Sequence, residues 1–177
     1  MFSIETTGLW WKKKRLIAPS KLGAAEFEEV ATEVGCKPMK ARKIGHVAAW
    51  RADTSATVET RWDGKEATNT AQPGDWIATN LSPENDVLRD ASGNPNTYVI
   101  KAETFPTLYE AIDGENEFGS FFKAKNVVDA VYLSGGFDIL APWGEKQTAG
   151  AGYLLSNGKD VYGNNAQTFD KTYEILH

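Results

Sequence analysis

Cysteine and histidine are almost missing from this chain of 177 residues: Cys36 stands alone, and His46 and His177 are the two imidazoles. One cysteine excludes an intrachain disulfide and any Cys-x-x-Cys metal or redox motif. A transition-metal site would have to rest on carboxylates alone. His46 lies in an apolar stretch and reads as a structural histidine rather than a general base. Gly-x-Ser-x-Gly, His-Glu-x-x-His and phosphate-binding P-loop sequences are all lacking. No apolar run approaches the roughly 20 residues of a membrane-spanning helix. Trp10-Trp11 runs into Lys12-Lys13-Lys14-Arg15 where a secretory signal needs an apolar core. A soluble, cytoplasmic protein with no cofactor and no membrane partner is expected. Excess positive charge is also lacking, with a net charge of −5. Nucleic acid is therefore not an expected partner, because a basic face is its usual footprint. The charge is uneven, however: residues 1–43 carry nine Lys/Arg against five Asp/Glu, and residues 44–177 carry ten against nineteen.

The chain does have an ordinary apolar content, six Trp and clear turn punctuation. Phe27, Val30, Ala31 and Val34 fall at helical spacing, with Ser20 as the expected N-cap, Gly35 as a left-handed stop and Pro38 beyond it. Leu9–Ile17 reads as a strand. From Met39 onward short β-like runs alternate with turns, among them Asp63-Gly64, Pro73-Gly74-Asp75, Gly135-Gly136 and Asn157-Gly158. Ser82–Asn96 reads as an exposed excursion, and Phe105-Pro106 as one helical turn leading into a strand.

Two stretches echo one another. Tyr98–Glu110 and Tyr162–Glu174 share Tyr, Ala, Thr, Phe, Tyr and Glu in register, with Glu103 answered by Gln167. Gln72–Asn80 has a weaker counterpart in Ala149–Asn157, and Lys40-Ala41-Arg42 is answered by Lys123-Ala124-Lys125. Matches in the same order predict a duplicated unit. The expected architecture is α+β, mostly antiparallel, with an N-terminal helix packed across sheet. The expected divisions are 1–38 for the strand and helix, 39–112 for a first β-rich unit, 113–120 for a linker and 121–177 for a second, degenerate unit.

Candidate chemistry is sparse. Asp75, Glu103 and Glu110 lie in the echoing stretches, and paired carboxylates can serve as acid and base. Asp75 follows Pro-Gly, where aspartate commonly caps a turn. Trp10-Trp11-Lys12-Lys13-Lys14-Arg15 could stack bases and hold phosphates, but a lysine run also suits the solvated edge of a strand. Lys40, Arg42, Trp50 and Trp76, and in the second unit Lys123, Lys125, Tyr132 and Tyr153, each combine cations with aromatics. The expected binding residues are Lys40, Arg42, Trp50, Asp75, Trp76, Lys101 and Glu103.

On Lys40-Ala41-Arg42, Trp50, Pro73-Gly74-Asp75-Trp76-Ile77 and Phe105-x-x-x-Tyr109-Glu110, the chain resembles small bacterial and phage-encoded proteins of the PGDYG-like group. The resemblance covers residues 40–110 and, more loosely, 123–176. Ile77 follows Trp76 where the label has Gly. The group is largely uncharacterised, so the resemblance implies a fold more than an activity. The expected function is non-catalytic binding, as in a phage or prophage accessory factor, of a small anionic or nucleotide-like ligand or a protein partner. An enzyme with a carboxylate base in the first unit, or a structural assembly protein, are the alternatives.

Overall fold

The computed structural model describes residues 1–62 and 64–177, with Lys65 described through its backbone. The chain begins with β1 (Ser3–Thr7), β2 (Lys13–Ala18), α1 (Ala24–Val34) and β3 (Met39–Lys43). It continues through β4 (His46–Arg51), β5 (Ala56–Trp62), β6 (Lys65–Ala71), β7 (Trp76–Leu81) and β8 (Thr97–Ile100). After α2 (Phe105–Leu108) come β9 (Tyr109–Asn116), β10 (Gly119–Ala124), β11 (Val127–Leu133), β12 (Phe137–Leu140) and β13 (Lys146–Ala149). The last elements are β14 (Gly152–Ser156), β15 (Val161–Asn165), α3 (Ala166–Thr172) and β16 (Tyr173–Leu176). The protein is α+β and mostly antiparallel; β2 and β12 run parallel.

It divides into two compact units, residues 1–42 with 127–177, and residues 43–126. The divisions expected from the sequence are displaced. Residues 113–120 are not a linker, because they form the end of β9, a turn and the start of β10. Asp63 of the expected Asp63-Gly64 turn lies outside the described residues.

In the discontinuous unit, a five-stranded sheet has the order β15-β14-β11-β3-β16. A four-stranded sheet, β1-β2-β12-β13, belongs to the same unit. Helix α1 begins later than Ser20 predicts: Gly23 is the N-cap, and its N–H donates to Glu26 Oε1 at 3.1 Å. The stop is as expected, with Gly35 left-handed at φ 74° and Cys36 N donating to Ala31 O. The apolar stripe Phe27, Val30 and Ala31 is buried with Leu16, Leu22, Leu133, Phe137 and Leu154, and Val34 packs at the margin. Burying Phe27 contributes about 2–3 kcal/mol. Phe137 also explains Gly152 and Gly163, where a Cβ would come within 2.7 and 2.4 Å of its ring.

In the contiguous unit, the sheet order is β8-β7-β4-β10-β9, beside the β5-β6 hairpin. Val47, Ala48 and Ala49 of β4 are buried in succession, as suits a central strand covered on both faces. His46 has a structural partner, its Nδ1 lying 2.6 Å from Asn85 Oδ1. The excursion after β7 is mostly turns held by bridges Leu81–Val87 and Arg89–Pro95.

The two five-stranded sheets share one connectivity. A strand (β4 or β11) leads through a hairpin to its neighbour (β7 or β14). The edge strand follows (β8 or β15), then a short helix, then the opposite edge (β9 or β16). The strand beside that last edge differs in origin. In the contiguous unit it is β10, which follows β9; in the other unit it is β3, which precedes β4.

This path predicts how fragments behave. Residues 43–126 contain every strand of their sheet and should unfold cooperatively in urea when expressed alone. A fragment spanning 39–112 lacks β10, so β4 and β9 face an empty ladder position. Circular dichroism should find it unfolded; a folded 39–112 fragment would contradict the observed sheet order.

Candidate binding site

The site is built in the contiguous unit by the turn that precedes β7. Gly74 takes φ 93°, a conformation glycine adopts without a Cβ penalty. Gly74 N donates to Ala52 O at 2.7 Å, and Ala52 N donates to Asp75 O at 2.8 Å, which fastens the turn to the end of β4. The Asp75 carboxylate then ties the turn to the segment after β8. Its Oδ2 accepts from Gln72 N at 2.9 Å and Lys101 Nζ at 3.2 Å, and its Oδ1 accepts from Ala102 N at 3.0 Å. Only 4% of Asp75 is exposed. Burial by itself would raise its pKa, but the donors from Gln72, Ala102 and Lys101 outweigh that and hold it below its ordinary 3.8.

This linkage delivers α2 onto β7. The rings of Trp76 and Phe105 stack at 4.2 Å with 11° between planes. Phe122 of β10 meets both edge-on, at 5.4 and 4.9 Å, and Tyr109 lies 5.2 Å from Phe105. Each such pair is worth roughly 0.5–1.5 kcal/mol beyond its burial. Arg51, Trp76, Ala102, Phe105, Pro106, Tyr109 and Phe122 line a cavity of about 330 Å³. Arg51 sits directly opposite Trp76 in the β4–β7 ladder, and its Nε donates to Gly74 O at 3.3 Å. The lining is therefore aromatic, with one guanidinium at the side of the Pro-Gly turn.

Tyr109 connects the cavity to a polar cluster. Lys43 Nζ donates to Asn80 Oδ1 and the Tyr109 hydroxyl, both at 2.9 Å, and to the Tyr98 hydroxyl at 3.3 Å. Tyr98 donates in turn to Asn80 Oδ1 at 2.8 Å. These bonds satisfy the amide oxygen of the buried Asn80 and fix the Tyr109 ring.

The expected site residues are dispersed. Asp75, Trp76 and Lys101 come together as described. Glu103 is exposed in the turn before α2. Trp50 is on the wrong side: it pairs with Ile77, one position along from the Arg51–Trp76 pair, and alternation sends it to the opposite face. Lys40 and Arg42 belong to the other unit, where they pair with Asp129 at 2.7 Å and with Glu174. Lys123 pairs with Glu110 at 3.3 Å, and Lys125 Nζ donates to Pro106 O at 3.1 Å. The expected cations are thus largely cross-strand ion pairs at the surface, worth at most about 1 kcal/mol each. Arg51, Phe122 and Lys43 were missed. None of the three carries a local signal, because the register that sets Arg51 of β4 opposite Trp76 of β7 is a cross-strand choice.

The discontinuous unit has a related aromatic series. Tyr153 stacks on Phe169 at 3.8 Å, and Phe169 on Tyr173 at 5.0 Å. Tyr132 occupies the ladder position opposite Tyr153 that Arg51 holds opposite Trp76, with ring centroids 5.1 Å apart. Burial first, then the charge of Asp170 and the neighbouring Tyr132, raise the Tyr153 pKa, which keeps its hydroxyl protonated. Where the first turn uses Asp75, α3 is capped by Asn165, whose Oδ1 accepts from Gln167 N and Thr168 N.

Among the described residues there is no group of three His, Cys, Asp or Glu placed to hold a metal ion. No helix among them is long and apolar enough to cross a membrane. The fold is that of an α+β protein built mostly of antiparallel sheet. Comparison with protein families, curated proteins and solved structures gives no match.

The bonds to Asp75 predict a pH signature. Asp75→Asn should lower unfolding free energy by about 2 kcal/mol at pH 7, the order expected for charge-assisted bonds to a buried group. Because the folded pKa is depressed, this contribution is complete above the unfolded value near 3.9 and fades as pH falls through the lower folded value. Urea titrations of both proteins should converge in acid. A constant gap across that range would assign the loss to packing.

Proposed function

We propose that the protein is a non-catalytic binder whose aromatic cavity takes a small ligand carrying a flat ring beside an anionic group. The observation that carries this reading is that Arg51 and Trp76, opposite one another in the ladder, line the same cavity, so that a guanidinium and aromatic rings share its wall. Stacking and bidentate anion contact are what those two side chains do best. The lining holds no carboxylate, imidazole or thiol. The nearby carboxylate of Asp75 is a poor base, since both oxygens already accept hydrogen bonds and its pKa is lowered.

The same proposal includes a duplicated origin. The shared connectivity of the two sheets supports it, as do the Trp76–Phe105–Tyr109 and Tyr153–Phe169–Tyr173 series. In this reading β3–β9 and β10–β16 are the two copies, and each copy's first strand completes the other's sheet. Arg42 then corresponds to Lys123, as their ion pairs with Glu174 and Glu110 suggest. The short match of Lys40-Ala41-Arg42 with Lys123-Ala124-Lys125 is two residues out of that register. Tyr132 in place of Arg51 removes the cation from the second copy, so one ligand per chain is expected.

Calorimetry and thermal unfolding with nucleoside monophosphates and aromatic carboxylates test the proposal. A bound ligand at one hundred times its dissociation constant should add about 2.7 kcal/mol of stability. Arg51→Ala should weaken the anionic ligands at least tenfold while lowering the unliganded protein's stability by no more than about 1 kcal/mol, since Arg51 is exposed and gives up one long bond to Gly74 O. No response to any of these compounds, or an Arg51→Ala protein that binds them equally well, would remove this cavity as the site.

A further inference from the structure

The tryptophans of the N-terminal basic run are not in a strand. β1 and β2 pair from Ser3–Ile17 to Thr7–Lys13, and residues 8–12 make the turn between them. Gly8 has φ 95°, and a Cβ there would lie 2.3 Å from Trp11 O, so the turn closes too tightly for another residue. The turn leaves Leu9 and Trp10 each 91% exposed and Trp11 87% exposed. Three consecutive large apolar side chains held in water on a structured turn call for a partner, unlike apolar residues scattered singly.

The flanking charge says which partner. Lys12 and Lys13 directly follow the two tryptophans in the chain and are exposed, and Lys14 comes next with its Nζ donating to Glu33 O at 3.4 Å. The nearest acidic residue along the hairpin is Glu5, which lies opposite Arg15 in the ladder. The tip is therefore positive on a chain whose net charge is −5. Charges more than about 8–10 Å away are largely screened at physiological salt.

We propose that this hairpin tip docks onto an anionic lipid bilayer, with Leu9, Trp10 and Trp11 entering the headgroup region and Lys12 and Lys13 facing the lipid phosphates. Indole rings favour the membrane interface, where an apolar body and a polar N–H are both accommodated. Lysines next to such a wedge supply attraction to acidic headgroups. A convex tip suits a deformable surface. Single-stranded nucleic acid is bound in a charged groove with aromatic platforms, and here the rings project from a turn. This mode of binding needs no membrane-spanning helix.

The test is sedimentation of the full chain with vesicles of phosphatidylcholine, with and without phosphatidylserine, read together with tryptophan emission. Binding and a blue shift are expected with phosphatidylserine vesicles, both weakened by salt. Trp10→Ser with Trp11→Ser should abolish binding. Lys12→Gln with Lys13→Gln should reduce it by roughly thirtyfold. Both variants should unfold as the parent does, because the altered side chains are exposed. The proposal is overturned if the protein ignores phosphatidylserine vesicles, binds phosphatidylcholine alone equally well, or binds a single-stranded oligonucleotide through the same residues instead.

Discussion

Each five-stranded sheet depends on the interior strand beside its last edge, a strand that follows by a tight turn in the contiguous unit and comes from a distant part of the chain in the other, and that dependence governs the rest of the molecule. β3 lies between β11 and β16, and β10 lies between β4 and β9. An interior strand satisfies the backbone donors and acceptors of two neighbours at once, so its loss exposes two unpaired edges. Ala41 of β3 has no exposed surface, and Phe121 of β10 is buried among Ala48 and Leu81. Small side chains beside the ladder let these strands sit deep, and Gly119 does the same by approaching Ala49 O where a Cβ would clash at 2.3 Å.

On the contiguous unit's sheet, Asp75 performs a local version of the same task. One carboxylate satisfies donors from its own turn and from the segment that starts α2. It is stable as a buried anion because every bond to it favours the charged form. The resulting Trp76–Phe105 stack is a consequence of that bridge as much as of hydrophobic burial. Arg51 stands across from Trp76 and lines the cavity with it. In the other unit Tyr132 takes that position and extends the aromatic series.

Much of the fold was legible residue by residue. The α1 stripe and its Gly35 stop, the Pro73-Gly74 turn and the short helix at Phe105 followed from periodicity and backbone preference, which act over a few residues. The start of α1 was misplaced because Ser20 resembles a cap, while Glu26 reaches back to the N–H of Gly23. The strand assigned to Leu9–Ile17 began too early because aromatic residues favour strands, and Gly8 instead set a turn. The candidate site was half legible. Asp75 and Trp76 lie within one motif, but Arg51 depended on the β4–β7 register, and Lys40 and Arg42 were drawn in by composition although the chain places them with Asp129 and Glu174.

By itself, then, the sequence determined what short-range forces control: turn positions, the amphipathic helix and the β-rich class. Tertiary structure alone decided which strands share a sheet, and hence which cations meet which rings. Strand pairing is a choice among partners far apart along the chain, and hydrogen bonds of nearly equal strength leave little local trace of the choice. Side-chain packing across each whole sheet selects among them, and that selection carried β3 and β10 away from the boundaries the repeated motifs implied.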